Sequence, residues 1–269
     1  DTPTPGQASQ PETPSASTPT ITLDPSTVYQ TVSGWQMPVG TPVNYPPQAQ
    51  AVLGKLLELG VTEVGVNRVT LDLFPGVERP SPDCQLGFMN GSISERDFAD
   101  QCAYNPVNDN SDPNVAAPNG FHFVLTDWQI DNIVLPMRRL LQSRGESLYL
   151  SVRFVDFKES AFEPNQNPAE YAELVLALFE HIRSKYGFVP DGFDVINEPD
   201  NSPGWRDPSM IGRLAATAGQ RLARAGFQPD LTAPSTMNKG NAPSYFDGVM
   251  AQAGASQYVK ELGWHCYAD

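Results

Sequence analysis

The stretch DGFDVINEPDN, residues 191–201, runs an apolar segment into a carboxylate. Phe193, Val195 and Ile196 have the character of a buried strand, and Asn197, Glu198 and Pro199 follow at once. A carboxyl group where such a strand runs out stands at a partly desolvated mouth, which favours its protonated form. That suits a general acid, a group that hands a proton to a departing oxygen. The competing reading is local: Glu198 merely caps the polar turn before the next helix.

Other residues gain meaning from where strands end. In barrels of alternating strands and helices, reactive groups gather at the C-terminal ends of the strands. His265 and Tyr267, two apart in ELGWHCYAD, share one face of a strand and present donors together. Arg68 in VTEVGVNRVTL offers a fixed positive charge, or a partner for Glu63 or Asp72. Asn197 and Glu198 face opposite sides if the strand alternates strictly, so both serve one site only where regularity is lost. Pro199, lacking an N–H, helps end the ladder there. Trp35 and Trp205 are the candidate platforms for a flat ligand, whereas Trp128 and Trp264 read as packing and Tyr104 has no fixed direction. His181 falls mid-helix as a surface residue, and His122 lies in an irregular region. Three scattered histidines without ligand spacing give no metal site.

The elements that must place these groups alternate. Strands are expected at about 31–35, 62–71, 147–155, 192–198, 230–236 and 261–267. Helices are expected over about 46–60, 126–144, 167–187, 207–226 and 242–254, with prolines at entrances and glycines at exits. Connections this short join parallel neighbours, in a barrel or an open doubly wound sheet, and the glycine-rich phosphate fingerprint of the latter is absent. A stretch from about 74 to 125 lacks periodicity and is rich in Pro, Asn, Asp, Gly and Ser, as an insertion walling a cleft would be. Within it, Cys84 and Cys102 are placed to pair, and Asn90-Gly91-Ser92 fits both a glycosylation sequon and a plain turn. Cys266, in an apolar run, reads as a buried free thiol.

Composition narrows the partners. Seventeen basic against 31 acidic residues leave a net charge of −14, which repels nucleic acid and anionic membranes. No apolar run approaches the roughly 18 residues a membrane span needs. Residues 1–20, DTPTPGQASQPETPSASTPT, hold too little apolar surface to order themselves and read as a disordered tether. The barrel domain then takes 21–269. A first residue that is not Met, with the tether and the cysteine pair, suggests a processed, secreted protein.

VINEPDN and WHCYAD together resemble the retaining glycoside hydrolases of clan A, which share a (β/α)8 barrel. TLDPSTVYQTVSGW is similar to the start of family 30 members, with families 5 and 39 as neighbours. The resemblance implies an α/β fold, a (β/α)8 barrel represented by about its first six β/α units. It implies cleavage of β-glycosidic bonds in a neutral oligo- or polysaccharide, by a monomer without cofactor. Cleavage of this kind needs one carboxylic acid and a second carboxylate about 5 Å away. Glu198 takes the role of acid/base and Asn197 grips the sugar 2-hydroxyl. Arg68, His265 and Tyr267 serve the substrate or the second carboxylate, and Trp35 and Trp205 stack on sugar rings.

In the clan the nucleophile is a glutamate closing strand seven, and this chain reaches strand six. Asp156, Glu159 and Asp269 are poor substitutes by position, so the nucleophile is expected beyond residue 269. Two rivals remain: a carbohydrate-binding barrel remnant without hydrolysis, and an open α/β-sheet enzyme in which Glu198 only caps.

Overall fold

The computed structural model describes residues 22, 24–28, 31–40, 47–158 and 163–267, with the side chains of 47–50 excepted. The expected tether at 1–20, Glu159 and Asp269 lie outside these. Contacts divide the chain into two units, 1–33 and 34–269. In the first, the Asp24 carboxylate closes a tight turn by accepting from Ser26 N at 2.9 Å and Thr27 Oγ1 at 2.9 Å.

The second unit alternates strand and helix. In order it contains β1 (Trp35–Pro38), α1 (Pro47–Leu59), β2 (Val66–Leu73), α2 (Asp83–Met89), α3 (Glu95–Phe98), α4 (Val124–Gln129) and α5 (Leu135–Gln142). There follow β3 (Tyr149–Phe154), α6 (Pro168–Tyr186), β4 (Gly192–Asp194), α7 (Pro208–Arg224), β5 (Asp230–Thr232), α8 (Ala242–Met250), α9 (Ala255–Tyr258) and β6 (Val259–Glu261). All six strands are parallel and pair in chain order, β1 to β6. This is the architecture of a (β/α)8 barrel through its first six units.

Patterning explains the two layers. Along β2, Val69, Leu71 and Leu73 are fully buried against the helices, while Arg68, Thr70 and Asp72 alternate onto the concave face. On β3, Leu150, Val152 and Phe154 do the same, leaving Tyr149, Ser151 and Arg153 on that face. Helix α6 answers with Tyr171, Leu174, Val175, Leu178, Phe179 and Ile182, an apolar stripe at helical spacing. Pro168 opens it, and Gly187, at φ 75, closes it in the left-handed conformation that glycine reaches without penalty. Among the described residues no helix is long and apolar enough to cross a membrane.

The 74–125 stretch is an ordered insertion that carries α2 and α3 and has its own small core of Phe88, Phe98, Cys102 and Ala103. The Cys84–Cys102 disulfide ties α2 to the turn after α3. Just past β2 the insertion folds tightly on itself, where a Cβ on Gly76 would fall 1.6 Å from the carbonyl oxygen of Cys102. It also reaches α6, where Asn108 Nδ2–H donates to Glu170 at 3.2 Å. Asn90 accepts from Ser92 N at 3.0 Å, and Gly91 turns with φ 80, so this tripeptide forms a tight turn.

Candidate active site

The regular ladder of β4 stops at Asp194, but the chain runs on beside its neighbours. Val195 N–H donates to Thr232 O at 3.1 Å, Asn197 N–H to Phe154 O at 2.8 Å and Glu198 N–H to Ser235 O at 3.0 Å. At Glu198 the backbone turns to φ 51, ψ 57, and Pro199 then opens a single 3-10 turn. Regularity is therefore lost where Asn197 and Glu198 would otherwise have faced apart. A left-handed residue with a Cβ costs about 1–3 kcal/mol and persists where its surroundings over-determine it, often at functional sites.

The Glu198 carboxylate is buried and held from two sides. His265 Nδ1 lies 2.7 Å from Oε1, and Asn201 Nδ2–H donates to Oε2 at 3.2 Å. His265 comes from the segment after β6, whose ladder is short but continues through isolated bridges from Thr236 to Trp264 and from Asn238 to Cys266. The Tyr267 ring stands 5.2 Å from the imidazole, edge-on, and is open to solvent. Beside Glu198, the Oδ1 atom of Asn197 is buried and has no hydrogen-bond partner among the described residues. An acceptor left so costs about 1–3 kcal/mol unless a donor arrives.

Below this mouth the concave face is charged. Asp72, Arg153, Asp194, Thr232 and Glu261 sit opposite one another on successive strands, β2 to β6. Arg153 Nε–H bonds Asp72, and Ser235 Oγ–H donates to Asp194 at 2.6 Å. Burial pushes the Asp194 carboxyl up to about 7, against the pull of the Ser235 bond and the Arg153 charge. Arg153, Asp194, Ser235, Glu261, Trp264 and His265 help line a cleft of about 220 Å³ here. Just past β3, burial likewise pushes the Asp156 carboxyl up to about 6, opposed by a bond from Trp205 Nε1–H at 3.1 Å.

The structure thus gathers Glu198, Asn197, His265 and Tyr267 and separates three other candidates from them. Trp205 is no platform: it is 1% exposed and packs with Phe154 and Tyr171, because the turn after Pro203 folds its ring under the loop. Trp35 is exposed but opens β1, at the end of the sheet opposite Glu198, since the first strand runs over 35–38 and not 31–35. Arg68 lies near the start of β2, where its Nη2 bonds Glu261 at 3.0 Å and its guanidinium covers the Tyr149 ring at 3.9 Å. Its partner is therefore neither Glu63 nor Asp72.

Three smaller expectations also change. Cys266 is an exposed free thiol, and Trp264, 46% exposed, lines the cleft rather than the core. His181 is part-buried and bonds Asp127 at 2.7 Å. Asp156, weighed only as a substitute nucleophile, is turned to Trp205.

Two residues that touch Glu198 had no sequence signal strong enough to single them out. Asn201 follows it by one helical-turn spacing within the same polar stretch, a cue available in principle. Ser235 reaches it from another strand, and only pairing of β4 with β5 brings the two together. Among the described residues no cluster of three or more His, Cys, Asp or Glu side chains is arranged to hold a metal ion.

No family model and no curated protein matches the chain by sequence. Solved structures do match by shape. The catalytic domain of GH30 xylanase C from Talaromyces cellulolyticus superposes with a TM-score of 0.59 at 16% identity, over 91% of this chain and 55% of that one. In fold, the chain resembles the catalytic domain of this xylanase. A monomeric beta-xylosidase from Caulobacter crescentus CB15 (TM-score 0.47, 13% identity, 86% of this chain and 41% of that one) also matches. So does the GH39 enzyme from Xanthomonas axonopodis pv. citri (TM-score 0.45, 14% identity, 86% of this chain and 40% of that one). The chain spans about half the length of the solved structures it matches.

Proposed function

We propose that the protein is a secreted retaining glycosidase that cleaves β-glycosidic bonds of a neutral glycan by double displacement. Glu198 is the acid/base. The observation that carries this reading is the buried Glu198 carboxylate at the mouth of β4, held at 2.7 Å by His265 and 3.2 Å by Asn201. A carboxyl fixed at both oxygens loses no time to reorientation, and it can protonate the leaving oxygen and later deprotonate the incoming water. The unpartnered Oδ1 of Asn197 accepts the sugar 2-hydroxyl, a bond that strengthens as positive charge develops at the anomeric carbon. Tyr267, exposed beside His265, contributes a further contact to the sugar.

The second carboxylate, the nucleophile, comes from a seventh strand beyond residue 269, about 5 Å from Glu198 as retention of configuration requires. Arg68 steadies the lower half of the sheet through Glu261 in this scheme and does not meet the sugar. The 1–20 segment serves as a tether, and the Cys84–Cys102 bridge suits an oxidising, extracellular setting. The protein works as a monomer without cofactor.

The test uses the full-length protein and Glu198→Ala. Turnover of alkyl glycosides should fall by about 10²- to 10⁴-fold, as expected for loss of a general acid. Aryl glycosides with good leaving groups should still glycosylate the enzyme, and added azide should restore turnover by forming the β-glycosyl azide. Undiminished hydrolysis of alkyl glycosides by the variant would sink the assignment. Glycan binding without any hydrolysis by the wild type would favour a carbohydrate-binding barrel instead.

A further inference from the structure

Two non-glycine residues among those described hold left-handed backbones, Glu198 at φ 51 and Ser235 at φ 52. They are joined directly, because Glu198 N–H donates to the Ser235 carbonyl at 3.0 Å. The next carbonyl, that of Thr236, accepts His265 N–H at 2.7 Å. Consecutive carbonyls after β5 therefore carry the backbones of both partners in the Glu198–His265 bond. Any slide or rotation of this segment changes where the carboxylate and the imidazole meet.

A left-handed serine is uphill and stays so only if it is held. Its hydroxyl donates to Asp194 at 2.6 Å, on the same β4 segment that continues into Glu198. From the other side Gly263 closes on it, since a Cβ there would fall 2.6 Å from Ser235 Oγ. Downstream, the Asp200 carboxylate accepts from Met237 N at 2.7 Å and Asn238 N at 3.1 Å, so the segment is fastened at both ends.

We propose that Ser235, anchored by Asp194, is a positioning residue that sets the alignment of Glu198 with His265. This rests on the reading of Glu198 as acid/base. It concerns proton transfer alone, so the variants should discriminate between substrates that need a proton and those that do not.

The experiment compares Ser235→Ala, Asp194→Ala and Asp194→Asn in the full-length protein. For alkyl glycosides, kcat/KM should fall about ten- to a hundredfold in the two alanine variants, the scale of a misplaced catalytic group. For dinitrophenyl glycosides, whose leaving group departs unprotonated, kcat/KM should stay within about threefold of wild type. Asp194→Asn keeps an acceptor oxygen for the hydroxyl and should recover most of the loss. A merely structural role would lower both substrates in proportion.

A readout free of turnover separates the two readings. The chain has three histidines, so the His265 imidazole signals can be assigned and followed by NMR. They should move in Ser235→Ala. If the wild type cleaves no glycoside the hydrolase reading fails, and these signals still decide the positioning role. Should Ser235→Ala not fold, Gly263→Ala presses on the same hydroxyl and should produce the same shift. Unmoved His265 signals with an unchanged substrate profile would overturn the proposal.

Discussion

The indole N–H of Trp205 donates to Asp156 Oδ2 at 3.1 Å, beneath the loop that follows Glu198. The ring fills core space against Phe154 and Tyr171, with centroids 5.6 and 6.3 Å away. An aromatic that stands seven positions past Glu198 in sequence thus serves as a post under the loop that follows it. Asp156, half satisfied and buried, depends on the same indole.

Trp205→Ala should therefore destabilise the fold by about 3–5 kcal/mol, the usual range for emptying such a site. Trp205→Phe keeps most of the packing and should cost about 1–3 kcal/mol, chiefly by stripping Asp156 of its donor. Denaturant midpoints measure both. Near-native stability of Trp205→Ala with lost glycan affinity would return this residue to the mouth.

His265→Ala removes the partner of Glu198 Oε1 and leaves the carboxylate held by Asn201 alone. Hydrolysis of alkyl glycosides should fall about tenfold or more through lost alignment, with much smaller change for activated aryl glycosides. Steady-state kinetics on the two substrate classes provide the check, and equal losses on both would argue against alignment as the cause.

Glu78 gives a pH dependence whose sign can be worked out. Burial raises its carboxyl from 4.5 to about 8, helped by repulsion from Asp109, Glu170 and Glu173 and opposed by the bond from Asp109 N. Between those values the folded protein keeps a proton that the unfolded chain releases. Stability therefore declines as pH rises from about 4.5 to about 8. Glu78→Gln retains an oxygen for Asp109 N and should flatten that decline, leaving the variant more stable at pH 8 by a few kcal/mol on an order-of-magnitude scale. Urea titrations at pH 5 and pH 8 decide it, and parallel losses in both proteins would refute the burial argument. Glu173, also raised to about 8 by burial, contributes in the same direction and keeps the flattening incomplete.

The disulfide closes a loop of 18 residues in sequence separation. Replacing both cysteines by serine should lower stability by about 3 kcal/mol, the chain-entropy value for a loop of this size. Protease cutting within 74–125 should accelerate before the barrel itself opens, because the insertion has a small core of its own. Unchanged cutting rates would show that packing against β2 and α6 already suffices.

Much of the fold was legible because it rests on local periodicity. The apolar alternation of Val69, Leu71 and Leu73 and the apolar stripe from Tyr171 to Ile182 declare a strand and a helix without help from any neighbour. Short connections then force parallel pairing. The first strand is less legible: Trp35 to Pro38 carries little alternation, so the sequence points to 31–35 and places Trp35 at the wrong end.

The chain's own order of residues determined the strand–helix series and the acid at the end of the fourth strand, and it marked Cys84 and Cys102 as candidates to pair. Each depends on spacing along one segment. Only the tertiary structure decided which side chains meet Glu198. His265 and Ser235 follow other strands, β6 and β5, and the pairing of those strands, not sequence distance, brings them within 3.0 Å of it. It also turned Trp205 inward and matched Arg68 with Glu261, 193 residues away. A side chain's partner is set by how the strands stack, and no local pattern records that.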